Sequence, residues 1–319
     1  MSSEQQILQT IKQLVPNSNK YLLDDAAIIE KDLVVTTDSI VENTHFSRKT
    51  YTPEEVGWKA IAINLSDIAS MGGKPLYALI ALSLPKSISN EWVRKFYKGL
   101  LFCAKKYKTQ IIGGNLARAK EVNITITVIG RYRGKLTTCP KRSNAKPGDL
   151  VFTTGGFGDS AAGLLLLSHA GAYSRIPQHE YLIKKHKTPI PQIELGIKIT
   201  KLCKRAALMD ASDGLADCLI QISNESKVKI IVAEDKIPIS NNMKKATKIL
   251  KKNPLSLALY GGEDYELIGT ASKNDCNKLK KIKNIKIIGE VLKGTGAFLK
   301  QNNNKLVKLD MNYGFRHFL

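Results

Sequence analysis

The segment from Tyr21 to His45, YLLDDAAIIEKDLVVTTDSIVENTH, sets Asp24, Asp25, Asp38 and Glu42 among two short apolar runs. Ala26–Ile29 and Leu33–Thr37 flank a turn at Lys31-Asp32, the pattern of a β-hairpin. Such a hairpin carries Asp24 and Asp25, just before its first strand, toward Asp38, just after its second. Carboxylates gathered at one end of an apolar sheet repel one another unless a cation lies between them. Thr36 and Thr37 add hydroxyl oxygens at the same edge, and an oxygen-only donor set suits magnesium. Asp is equally at home in solvated turns, so the hairpin alone leaves both readings open.

A chain of 319 residues is long enough for two domains, and 43% hydrophobic content describes a globular protein with a proper core. No run approaches the roughly 18 apolar residues of a membrane span, which argues against a membrane partner. MSSEQQILQTIKQLV has no basic region followed by an apolar one, so no secretory signal is read there. It patterns instead as a short amphipathic helix with Ile7, Leu8, Ile11, Leu14 and Val15 on one side. The five cysteines show no CxxC spacing, and a reduced, cytoplasmic setting is expected. The net charge of +21 raises nucleic-acid binding. Against it, only nine of the 49 basic residues are Arg, the better base reader, and the lysines are scattered without interleaved aromatics. No nucleic-acid partner is therefore expected, although a positive field helps gather phosphorylated substrates.

Thr52-Pro53-Glu54-Glu55 opens a helix with a capping residue, Pro at its first position and acids in its first turn. The helix runs to Gly72-Gly73. Val56, Ala60, Ile63, Asn64, Asp67 and Met71 recur at spacings of three and four, placing Asp67 on or beside a buried stripe. A carboxylate there costs free energy unless it is paired or bound to metal. The alternative is a structural Asp satisfied by Ser66, Asn64 or backbone. Strand Leu76–Leu84, helix Glu91–Lys106, strand Ile111–Asn115 running into a glycine pair, and strand Val122–Tyr132 complete a first α/β domain. The polar run Ser143–Asp149 marks the boundary, giving domains 1–145 and 146–319.

Beyond it, strand Leu150–Thr154 leads through TGGFGDSAAG into helix Ala161–Leu167. The glycine loop fits neither GxGxxG nor GxxxxGK[ST], and a plain tight turn explains it as well as a phosphate cradle does. A helix from Gln192 to Arg205 precedes LMDASDGL, Leu208–Leu215, where a strand delivers Asp210, Ser212 and Asp213 to a helix start. Ser212 or Asp213 could simply cap that helix. YGGEDYEL, Tyr260–Leu267, then places three acids after a Gly-Gly turn. Strands Lys286–Val291, Ala297–Leu299 and Lys305–Leu309 close the second domain. No Ser/His/Asp or Cys/His pairing is evident, so nothing supports a covalent mechanism.

The set DDAA, VTTDSIVENTHF, NLSDIASMGG, IIGGN, AKPGD, GDSAAG, MDASDGL and YGGEDYEL, in this order and spacing, resembles the thiamine-monophosphate kinase family. That family is part of the ATP-binding superfamily that includes aminoimidazole ribonucleotide synthetase. The likeness runs from about Asp24 to the closing GFRHF. It implies a two-domain α/β fold of mixed sheets, a homodimer formed through the N-terminal domain, and ATP with magnesium (Mg2+) as cofactors. By the same resemblance Asp25, Thr36, Thr37 and Asp38 bind metal, Asp67 bridges metals, and Asp210 and Asp213 bind metal. Asp67, Asp210 and Asp213 are the residues expected to carry catalysis. Gly113 and Gly114 would contact ATP through backbone, Ser212 would touch the nucleotide, and Arg142 would lie on the phosphates. His45, Glu263 and Phe315 would face thiamine monophosphate.

Two positions depart from the family pattern. Asn115 stands where the family usually has Asp, keeping one oxygen ligand for metal and nucleotide but removing a charge. Phe315 stands where the family usually has Tyr, keeping the π face and losing the hydroxyl. The implied reaction is ATP-dependent phosphorylation of thiamine monophosphate to thiamine diphosphate, the last step of that cofactor's biosynthesis. A phosphate oxygen attacks in line without a phosphoenzyme, and being already ionised it barely needs a general base. A sister enzyme that activates an amide or carbonyl with ATP is the nearest rival, and GGEDYEL, NTHF and MDASDGL favour the kinase. A selenophosphate-type member would want a reactive Cys near the N-terminus, whereas the first here is Cys103. A basic nucleic-acid binder predicts steeply salt-dependent binding but gives no reason for buried carboxylates.

Overall fold

A computed structural model describes residues 4–16, 18–30, 32–168 and 179–313. Two short helices, α1 (Glu4–Leu14) and α2 (Ser18–Tyr21), precede the hairpin of β1 (Ala27–Ile29) and β2 (Leu33–Val41). The hairpin forms as its pattern predicts, antiparallel with Ala27 opposite Val35. The expected apolar side of α1 stays largely in solvent, with Leu8, Ile11 and Leu14 exposed. Next come α3 (Pro53–Ser70), β3 (Lys74–Leu84), α4 (Asn90–Lys106), β4 (Gln110–Arg118) and β5 (Asn123–Arg131). The strands form one sheet in the order β1-β2-β5-β3-β4. β5 runs antiparallel to both β2 and β3, and β4 lies parallel to β3 because α4 carries the chain back across.

β4 differs from expectation. It does not end at the glycine pair but continues through it to Arg118, as an edge strand whose residues are nearly all exposed. Gly114 is explained locally: a Cβ there would stand 1.8 Å from the Ile80 carbonyl oxygen of β3.

The second half comprises β6 (Leu150–Thr153), α5 (Asp159–Ser168), α6 (His179–Lys187), α7 (Ile193–Leu202), β7 (Ala206–Asp210), α8 (Leu215–Ser226) and β8 (Lys229–Ala233). It continues with α9 (Asn241–Leu250), α10 (Pro254–Tyr260), β9 (Leu267–Ala271), α11 (Lys273–Leu279), β10 (Lys286–Leu292), β11 (Gly296–Lys300) and β12 (Leu306–Lys308). Its seven-stranded mixed sheet runs β12-β11-β8-β10-β6-β9-β7. The polar run Ser143–Asp149 falls between the two sheets, and the Arg205 fork grips Asp149 there with two contacts of 2.7 Å. Helices α6, α9, α10 and α11 have no counterpart in the sequence reading.

α3 is the centre of the molecule. Its start is the capping box that Thr52 and Glu55 suggest: Glu55 N–H donates to Thr52 Oγ1 at 3.2 Å, and Thr52 N–H donates to Glu55 Oε2 at 2.8 Å. Such a cap stabilises a helix by about 1 kcal/mol. The expected single stripe is too narrow a description, because α3 is buried around almost its whole circumference. It lies against β2 and β5 of the first sheet, against α4 at its side, and against α7 and β7 of the second half. Gly99 lets α4 cross that closely, since a Cβ there would meet Glu54 O at 1.9 Å. Ile61, Leu65 and Ile68 of α3 share one apolar core with Leu208 and Leu267 of the second sheet, while the sheet's other face holds a separate core beneath α5 and α8.

Candidate active site

Where the hairpin, α3 and the end of β7 meet, they enclose a cavity of about 650 Å3 lined from both halves of the chain. Asp25, Asp38, Asp67, Asp210, Ser212 and Asp213 line it, together with Thr36, Thr37, Arg142, His45 and Glu263. The sequence constellations thus converge on one place. Period-two alternation on β2 separates the threonines. Thr36 Oγ1 lies 2.5 Å from Asp67 Oδ2 and 3.3 Å from Asp25 O. Thr37 turns to the opposite face, where its hydroxyl donates to Ile126 O at 3.2 Å and accepts from Thr127 at 3.1 Å. That leaves Thr37 only main-chain oxygen to offer the cavity. Asp38 is held by its own N–H, which donates to Oδ1 of buried Asn64 at 2.9 Å.

Asp25 is partly engaged. One oxygen takes the Arg142 guanidinium in a two-pronged contact, and the other accepts the Asp210 N–H at 3.1 Å. Arg142 also donates to Gln221 Oε1, and its N–H donates to Asp24 at 2.8 Å. The arginine therefore fastens the 142–144 turn to the hairpin. The remaining acids crowd one another. Burial, then Asp213 and Asp25, push Asp38 up to about 6. Burial, then Asp38, Asp210 and Asp25, raise Asp67 well above the usual range. Burial, then Asp25, do the same to Asp210. Asp210 Oδ2 is buried without a hydrogen bond of ordinary geometry, as is the Ser66 hydroxyl near it. Each feature is costly in isolation and is relieved by a cation.

Among the described residues no three His, Cys, Asp or Glu side chains stand close enough to close around one bare ion. The donor set nevertheless fits magnesium, which keeps several waters, shares substrate phosphates and needs only one or two carboxylates per ion. The uncompensated oxygen of Asp210 and the mutually repelling Asp38 and Asp67 are such donors.

After β7 the chain does not use Ser212 or Asp213 as a cap. The residue preceding α8 is Gly214, at φ 103°, and no side chain caps the helix. The glycine loop 154–158 is likewise resolved in favour of the plain turn. The Gly158 N–H and the Ser160 N–H just beyond the loop both donate to half-buried Asp264, at 2.7 and 3.2 Å, so those donors are not offered to a phosphate. Burial pushes Asp264 up to about 8.

At the other end of the cavity the reading from sequence missed Lys59, Tyr51 and His186. Lys59, fully buried on α3, reaches Glu263 Oε1 at 2.6 Å, and His186 Nδ1 lies 3.1 Å from Glu263 Oε2. A lone Lys in the apolar run VGWKAIAI was the available signal; nothing local marked His186. His186 Nδ1 also lies 3.0 Å from Ser160 Oγ, so a Ser/His/acid grouping exists that the sequence did not show. It is not a relay, because both contacts use the same ring nitrogen and Ser160 is buried.

Three expected positions lie elsewhere. Gly113, Gly114 and Asn115 sit on β4, lining a smaller groove of about 330 Å3 with Ile80, Leu82, Val93, Tyr97 and Leu116. Within one chain they do not join the acids. Phe315 lies outside the described residues.

Comparison with known proteins places this geometry. Residues 23–132 match the AIR synthase related protein N-terminal domain, and residues 146–301 match the C-terminal domain. The chain is 38% identical to a thiamine-monophosphate kinase of Aquifex aeolicus over 88% of its own length and 89% of the relative's. It is 40% identical to that of Bacillus subtilis over 81% and 79%. A solved structure described as AaThiL complexed with AMPPCP and TMP superposes with a TM-score of 0.87 at 34% identity, covering 99% of this chain and 97% of that one.

Proposed function

Because the chain belongs to the thiamine-monophosphate kinase family, we propose that its acid-lined cavity is where ATP phosphorylates thiamine monophosphate to thiamine diphosphate. The observation that carries this reading is the convergence of Asp25, Asp38, Asp67, Asp210 and Asp213 on one cavity, with no activated nucleophile among them. The acceptor is a phosphate oxygen, ionised at neutral pH, so the chain need not supply a general base and transfer proceeds in line without a phosphoenzyme. Asp25, Asp38, Asp67, Asp210 and Asp213, with Thr36 and the main chain of Thr37, would hold magnesium. When bound, magnesium screens the two polyanions from each other and takes up charge that spreads over the transferring group. Thr36 orients the Asp67 carboxylate, Asn64 fixes Asp38, and Arg142 sets Asp25 while turning positive charge toward the phosphates. Ser212 faces the nucleotide, and His45 and Glu263 form the thiamine side.

Gly113, Gly114 and Asn115 lie apart from the acids within one chain, so a role for them at this site calls for a second copy. β4 is an unpaired edge with Ile112 and Leu116 exposed, a surface suited to pairing with its own equivalent. We therefore assign a homodimer formed through the N-terminal domain, residues 1–145, with residues 146–319 completing each site. No helix among the described residues is long and apolar enough to cross a membrane. All five cysteines are free and buried, and from these thiols we infer a reduced, cytoplasmic setting.

The test is incubation with ATP, magnesium and thiamine monophosphate, followed by chromatography. Equal amounts of ADP and thiamine diphosphate are expected. ADP release without thiamine diphosphate would overturn the acceptor assignment.

A further inference from the structure

We propose that Lys59 is the positioning residue for the thiamine end of the cavity, acting through Glu263 and His45 rather than touching substrate. The inference rests on the functional reading above. An ammonium group has three donors, and here each has an acceptor on a different side chain or loop position. Glu263 Oε1 lies at 2.6 Å, the His45 carbonyl oxygen at 3.1 Å and the Tyr51 hydroxyl at 3.3 Å. The ammonium thus joins the 43–51 loop to the loop that follows α10, and does so from α3, the helix that also carries Asp67.

The loop bearing Glu263 needs such a hold. Glu263 and Tyr265 both adopt left-handed backbone, at φ 57° and 52°. Non-glycine residues persist there only where their surroundings over-determine them. Glu263 N–H is fixed by Ser212 O at 2.6 Å, next to Asp213, and its carboxylate is fixed by Lys59 and His186. Position 59 lies in an otherwise apolar, fully enclosed stretch of helix, where a hydrophobic residue would serve stability at least as well as a buried ion pair. What the lysine adds is location. Without it Glu263 keeps only His186, which burial holds toward the neutral form, and the His45 carbonyl loses its side-chain donor. The two walls of the thiamine end then move independently, while the acid end, carried by β2, β7 and the far half of α3, keeps its own contacts.

Steady-state kinetics of Lys59→Met, Glu263→Gln and the double variant test this. Lys59→Met is expected to raise KM for thiamine monophosphate at least about tenfold while changing KM for ATP less than about twofold. The double variant is expected to be no worse than the poorer single one, because the two residues act as a unit. It also removes the carboxylate that Lys59→Met strands, so it decides the matter if the single variant does not fold. An unchanged KM for thiamine monophosphate, equal rises in both KM values, or additive effects in the double variant would overturn the assignment. The wild-type chain is measured alongside. If it forms no thiamine diphosphate, the functional reading fails and this inference with it; an active wild type with a kinetically unaltered Lys59→Met overturns this inference alone.

Discussion

At one end of the cavity Asp38, Asp67 and Asp210 face one another, all raised by burial and mutual repulsion, with one Asp210 oxygen lacking a hydrogen bond of ordinary geometry. At the other end partial burial alone would raise Glu263, yet Lys59 and then His186 hold it down to about 2. The same residue class is thus treated in two ways within one cavity. Lys59 neutralises the glutamate end, with His186 as a second contact, so that end is complete as folded. The aspartate end holds more acid than its one neighbouring cation, Arg142 on Asp25, offsets, and on the proposed reading it is completed by what binds there. On the proposed function, unrelieved acids mark the reacting centre and saturated acids mark a wall.

The sharpest way to break this contrast is Asp67→Asn. Asp67 sits where three other carboxylates raise it, and its loss should lower kcat by about a hundred- to a thousandfold while leaving the fold intact. Near-normal turnover would move the reacting centre elsewhere. A smaller effect is expected from Asn115→Asp, which would add a charge to the aspartate end if, as proposed, the β4 of a second copy reaches it. Half-saturating magnesium should fall by about threefold, since ligand charge tunes affinity for hard cations. An unchanged requirement would separate β4 from the acid end.

Much of this site was legible in the sequence because its parts are local. The hairpin spacing put Asp25 near Thr36, the capping box fixed the start of α3, and the strand-to-helix turn at 208–215 delivered Asp210 and Asp213. What the sequence could not show depends on contacts between distant segments. Lys59 and Glu263 are far apart along the chain, and His186 lies on a helix whose pattern gave no sign of it. The stripe reading of α3 was too narrow because two sheets, rather than one, press on that helix. The glycine loop at 154–158 looked like a candidate cradle until Asp264, over a hundred residues on, was seen to occupy its N–H groups. Gly113–Asn115 lie apart from the acids because β4 is at the far edge of its sheet, lining a separate groove.

The most direct test of the contrast is the thermal midpoint at pH 5 and pH 8, in chelator and in excess magnesium. A carboxyl raised in the folded state keeps a proton that the unfolded chain releases near 3.8. Stability is therefore lost as pH climbs through the folded value, about 6 for Asp38, with Asp67 and Asp210 adding in the same direction. For Asp38 alone the loss between pH 5 and 8 is about 1 kcal/mol, or roughly 2 °C in midpoint for a chain of this size. Magnesium, competing with those protons, should raise the midpoint more at pH 8 than at pH 5, and Asp67→Asn should blunt that gain. A magnesium effect equal at both pH values, or absent, would contradict an acid end built to be completed by a cation.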